Sequence, residues 1–226
     1  MRRSGSGVVL VVSAALLGSV VLAGCGGDAG AMAPAATPAA AGQKAPVAPS
    51  AAAPKSGLGS LVVVPAGYLD DSREFTGAFG LESFVNNLSA APAEDRALLL
   101  NADLAEGYQA ARVSPDRKKR FTVQLFKTGS PKKANDLRQG FWNQETHSKQ
   151  FAVLGVPNAL SDARTVPKGV SDQSEAVAQV SFVVGNVVAE ITVRQTVQIG
   201  DTLVPDAGLV TKIAKQQRAQ LTKPSG

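Results

Sequence analysis

Residues 175–195 read EAVAQVSFVVGNVVAEITVRQ. Two apolar runs flank Gly185-Asn186, a two-residue signal for a hairpin with a type II′ or I′ turn. The turn sets the register. Val184 then faces Val187, Phe182 faces Ala189, Val180 faces Ile191 and Ala178 faces Val193. These four apolar pairs share one face, while Ser181 with Glu190 and Gln179 with Thr192 share the other. A slip of one residue would turn the polar set into the core. The stretch therefore predicts an antiparallel sheet with one apolar and one polar face.

The flanking sequence adds helices to that sheet. Residues 205–221 predict a helix with Leu209, Val210, Ile213, Ala214, Gln217 and Leu221 inward, and with basic residues in its later turns, where they suit the helix dipole. Upstream, Gly107 to Val113 and Arg120 to Lys127 predict a second hairpin around Ser114-Pro115-Asp116, with Phe121, Val123 and Leu125 alternating against Thr122 and Gln124. Ser130-Pro131 is an N-cap and first-turn pair for a helix to Trp142, with Ala134, Leu137 and Phe141 on one face. Residues 80–88 and 92–104 predict two more helices, the second with an inward set of Ala97, Leu98, Leu100 and Leu104. Leu61 to Val64 reads as a first strand and Phe151 to Leu154 as a short one. Residues 158–170 read as a loop with room for another short strand. Hairpin-then-helix occurs twice, a structural pseudo-repeat without residue identity. The fold class is α+β: one antiparallel sheet built from hairpins with helices packed on it.

Composition bounds the rest. The chain has 226 residues, a formal net charge of +5 and 5% aromatic residues. A mixed globular pattern begins only near Leu58, which gives three regions: a leader over 1–24, a linker over 25–57 and a single folded domain over 58–226. A domain of that size buries about 70% of its unfolded surface and needs no covalent staple. The one cysteine, Cys25, lies outside it. Scarce aromatics and a mild basic excess argue against a nucleic-acid partner.

The leader has a short positive start (Arg2, Arg3), an apolar run from Val8 to Val21 and small residues before Cys25, the order of a secretory signal peptide. Leu22-Ala23-Gly24-Cys25 resembles the lipobox of bacterial lipoproteins. That resemblance implies that Cys25 carries a diacylglycerol thioether and becomes the first residue of the mature chain, on the outer face of the cytoplasmic membrane. Residues 26–57 carry prolines at 34, 38, 46, 49 and 54, little charge and no apolar periodicity. They read as a flexible Ala/Pro/Gly linker with a reach on the order of 30 Å as a coil and about 100 Å extended.

The domain itself carries a second resemblance, on Gly80-Leu81-Glu82 with its helix, Arg96 to Leu100, Gly107-Tyr108, the Phe121 to Phe126 strand, the Val183 to Val188 hairpin and the terminal helix. Together they resemble secreted lipoproteins of actinobacteria and, more remotely, PsbP/Mog1-type domains or the extracellular sensor domains of actinobacterial kinases. The resemblance implies a location and a fold, not an activity.

Candidate chemistry is sparse. His147, the sole histidine, lies in a polar stretch and reads as a surface residue. No metal site or cofactor is expected, and no Gly-x-Ser-x-Gly elbow is present. Asp70-Asp71 and Glu94-Asp95 read as a loop and a helix start. Arg117, Lys118, Lys119 and Arg120 form the densest charge run, a solvated turn or a contact for anionic headgroups and wall polymers. The expected function is a non-enzymatic envelope binding module for a protein partner or a hydrophobic small molecule. The alternative is a wall or lipid hydrolase. The anchor reading is checked directly: Cys25→Ala is expected to abolish lipidation and to release or mis-process the chain, and unchanged membrane retention on cell fractionation would contradict it.

Overall fold

The Gly185-Asn186 turn organises the computed structural model, which describes residues 57–167, 173–198 and 204–223. These residues fall in one compact unit, Pro49–Gly226. The leader, the lipobox and nearly all of the expected linker lie outside the described residues. The hairpin strands are β6 (Gln173–Val184) and β7 (Val187–Gln198), and all six expected pairs are in register. Gly185 has φ of 57° and Asn186 has no positive φ, so the turn is of the II′ kind, in which only the first central residue needs glycine's freedom. Thr128 locks it in place. Its N–H donates to the Asn186 carbonyl at 2.9 Å, and the Asn186 amide donates back to the Thr128 carbonyl at 2.7 Å.

The second hairpin, β3 (Glu106–Val113) and β4 (Lys119–Lys127), joins the first through β4 and β7. Two short strands, β1 (Leu69–Asp70) and β2 (Gly77–Phe79), share the outer edge of β3. With β5 (Leu160–Pro167) on β6, the antiparallel sheet has seven strands in the order β1-β3-β4-β7-β6-β5, and β2 lies beside β1 on β3.

The two faces are covered differently. Phe121, Val123, Leu125, Val180, Phe182, Ile191 and Val193 point to one face, where α4 (Ala207–Leu221) covers them. Asp206 caps α4, its carboxylate accepting from the Leu209 N–H at 2.9 Å. The other face is apolar only at one end, where α1 (Leu81–Asn87), α2 (Pro92–Asn101) and α3 (Pro131–Asn143) meet it. There Phe79, Phe84, Phe126 and Phe141 pack in tilted and edge-on pairs with ring centroids 5.2–6.1 Å apart. Gly107 makes room for this cluster, since a Cβ on it would sit 1.9 Å from the Phe79 ring.

Three expectations need correction. Leu61 to Val64 is not a strand. A 3₁₀ turn (Gly57–Leu61) leads into an irregular segment held along α4 by Gln217, whose side chain accepts from the Val63 N–H at 2.7 Å and donates to the Leu61 carbonyl at 2.8 Å. That pairing satisfies the backbone without a neighbouring strand. Phe151 to Leu154 is likewise irregular, and the strand of this region is β5. In α2 the buried apolar residue is Leu99, while Leu100 is 58% exposed and Ala97 is also exposed. Three consecutive leucines fit more than one helical stripe, and it is Leu99 that joins the buried cluster of Phe126 and Leu137.

Phe126 is fully buried and lies at the centre of that cluster. Phe126→Ala is expected to cost about 3–5 kcal/mol, read as a shifted midpoint in urea denaturation.

Candidate functional site

Where the three helices stop, the polar face of the sheet is left as the floor of a cleft of about 740 Å³. Register explains its floor. Gln109, Gln124, Glu190 and Ser181 form one row across β3, β4, β7 and β6, and Ala111, Thr122, Thr192 and Gln179 form the next. Side chains tie the first row together. Gln124 donates to Gln109 at 2.7 Å, and Gln109 donates to the Phe75 carbonyl at 2.8 Å. Phe84, Phe126 and Phe141 supply an apolar wall. Asp95 on α2 and Glu145 after α3 close the rim from the helix side.

The acidic groups differ in their partners. Arg120 holds Asp71 and Glu74, each at 3.2 Å, and Arg194 holds Glu175 at 3.0 Å. Arg164 holds both Glu145 and Asp162 at 2.7 Å. Burial opposes ionisation of Asp162, yet Arg164 and the N–H groups of Ser148 and Lys149 hold its carboxyl below the usual range. Among the described residues, Glu190 has only the Ser181 hydroxyl, 3.3 Å away. Burial first, then the negative charge of Glu145 and Asp95, pushes the Glu190 carboxyl from an ordinary 4.5 up to about 7. Asp95 is 5% exposed. One of its oxygens accepts from the Ser89 hydroxyl at 2.5 Å and the other has no hydrogen-bond partner.

The basic run is divided by the fold. Lys119 pairs with Asp206 at 2.6 Å, and that hydrogen bond raises the ammonium pKa. Arg120 lines the cleft. Arg117 and Lys118 remain exposed in the turn, with Arg117 at φ 58°. His147 is not a bare surface residue. Its ring stacks on Trp142 with centroids 3.8 Å apart, and its Nε2 lies 2.7 Å from the Trp142 carbonyl oxygen. It is not among the residues lining the cleft. Asp71 and Asp95, read from sequence as loop and helix-start residues, are the buried members of their pairs and both line the cleft. The polar alternation of β7 foretold that Glu190 leaves the core. Nothing local foretold that a helix would bring Asp95 above it.

Among the described residues, no three His, Cys, Asp or Glu side chains come together to hold a metal ion, and no helix is long and apolar enough to cross a membrane. No family model and no curated protein matches the chain. Among solved structures, the extracellular domain of PknH from Mycobacterium tuberculosis is similar over 68% of this chain and 81% of its own, at 10% identity and a TM-score of 0.32. An uncharacterised protein from Mycobacterium smegmatis is similar over 65% of this chain and 86% of its own, at 12% identity and a TM-score of 0.28. Both likenesses are distant, and the functional reading rests on this chain's own residues.

Glu190 makes stability depend on pH. Its carboxyl binds a proton more tightly folded than unfolded, so this contribution is complete below about 4.5 and is lost as pH rises to about 7. Glu190→Gln is expected to remove that loss, worth up to about 3 kcal/mol, leaving the variant relatively more stable at pH 8 than at pH 5 in chemical denaturation.

Proposed function

We propose that this chain is a lipid-anchored extracytoplasmic binding module that captures a small molecule in the cleft over the polar face of its sheet. The observation that carries the reading is the cleft itself, about 740 Å³, with a hydrogen-bonded floor and an aromatic wall. That volume lies within the range of small-molecule sites, as does the combination of apolar surface with a few placed polar groups. Anchorage rests on the leader and on Leu22, Ala23, Gly24 and Cys25. Two or more acyl chains at Cys25 would hold the chain stably, each buried methylene contributing about 0.8 kcal/mol. The membrane is then its partner through Cys25, and any anionic-surface contact falls to Arg117 and Lys118, the two exposed members of the basic run.

One observation favours the hydrolase alternative: a carboxyl near neutral pKa in a cleft suits a general acid. It would rest on Glu190 rather than His147. Binding is preferred over ester or amide hydrolysis because no Ser, Cys or His is among the described lining residues to form a nucleophile–base pair.

Native mass spectrometry of the full chain tests the reading. The wild type is expected to carry a small-molecule adduct that Thr192→Trp, placed to fill the floor, removes without lowering the melting temperature. An adduct retained in the variant, or none in the wild type, would count against a cleft ligand.

A further inference from the structure

The chain as a whole is basic, with a net charge of +5, yet its cleft is acidic. Six carboxyl groups and two arginines line it. Both arginines are committed: Arg120 to Asp71 and Glu74, and Arg194 to Glu175. Glu145 is held by Arg164. Asp95 and Glu190 are left with no cationic partner among the described residues. Each has a single serine hydroxyl, Ser89 for Asp95 and Ser181 for Glu190.

Asp95 adds an independent sign. It is more than nine-tenths buried, it lines the cleft, and its Oδ1 meets no donor. An unmet buried acceptor costs on the order of 1–3 kcal/mol, more when charged, and native proteins rarely keep one without a use. A cation in the cleft would offset the charge of this carboxylate. It would also lie near the wall of Phe84 and Phe141, whose rings attract an ammonium by their faces and an alkyl group by their area. The long-range field of a basic protein does not oppose this at contact range, because salt screens it within about 8 Å.

We infer that the cleft takes a small organic cation, an ammonium bearing a hydrocarbon group, with the charge between Asp95 and Glu190 and the hydrocarbon against the phenylalanine wall. This rests on the cleft being the ligand site. A metal ion is the poorer fit, since the cleft carboxyls do not converge as a ligand set.

The inference implies proton release. Glu190 shares the cleft with Asp95 from α2, Glu145 from the segment after α3, Asp71 and Glu74 from the segment after β1, Arg120 from β4, Glu175 from β6 and Arg194 on its own strand. Of these, Asp95 and Glu145 raise its proton affinity. An arriving ammonium favours the ionised form, so binding strengthens as pH rises through neutrality.

Isothermal titration of the full-length protein with octylammonium, octanol and octanoate at pH 6 and pH 8 tests this, with melting temperatures recorded for each variant. Octylammonium is expected to bind in preference to the other two, and about tenfold more tightly at pH 8 than at pH 6. Asp95→Asn should weaken it at least tenfold, and Glu190→Gln should abolish the pH dependence. Thr192→Trp, which alters neither carboxyl, should block it by filling the floor. If octanol or octanoate binds as tightly as octylammonium and Thr192→Trp blocks it, the cation inference falls and the cleft reading stands. If octylammonium binds with all three variants indistinguishable from wild type, the charge sits elsewhere and the inference falls. If none of the three probes binds, the cation inference falls together with the support it drew from the cleft reading.

Discussion

The register set at Gly185-Asn186 is the constraint on which the rest depends. A strand alternates its side chains with a period of two, so one turn assigns every residue of β6 and β7 to a face. β7 passes the assignment to β4, and β4 passes it to β3. The apolar face becomes the core under α4, and the polar face becomes the cleft floor. Core and candidate site are two sides of one periodicity. Thr128 fastens the turn to the end of β4, which couples the two hairpins at the point where register is decided.

The legible parts of the fold were those with a local signature. Both hairpins, the Ser130-capped helix and the inward placement of Gln217 in the terminal helix follow from alternation, capping and helical spacing. Gln217 was legible in position but not in role: it is buried to hydrogen-bond the Leu61–Val63 backbone. β5 was obscure because Ser161, Asp162 and Arg164 spoil the alternation of a strand whose polar residues serve the 145–151 segment instead. The site was legible only in part. The polar face of the long hairpin could be read, Glu190 included. The unpartnered state of Asp95 and Glu190 could not, because it depends on which arginine reaches which carboxylate across elements far apart in sequence.

The division of the basic run makes the same point about charge. Arg117 to Arg120 are adjacent in sequence, but alternation at the start of β4 sends Lys119 and Arg120 to opposite faces. One ties the hairpin to the cap of α4, and the other neutralises acids at the cleft. Lys119 and Asp206 are partly buried on both sides, so their pairing is screened less than that of an exposed ion pair and bears on how α4 seats on the sheet.

The outer margin of β3 has a consequence of another kind. β1 and β2 occupy its two ends, and between them the Asp71 N–H and the Thr76 hydroxyl take up the backbone of Ala111. At the opposite margin, the Ala163 N–H of β5 donates to the Lys149 carbonyl. A strand whose hydrogen-bonding groups are already engaged offers little template to a neighbouring molecule. Partial engagement of both margins reduces the template that the sheet offers to a second copy, a property of colloidal rather than chemical value.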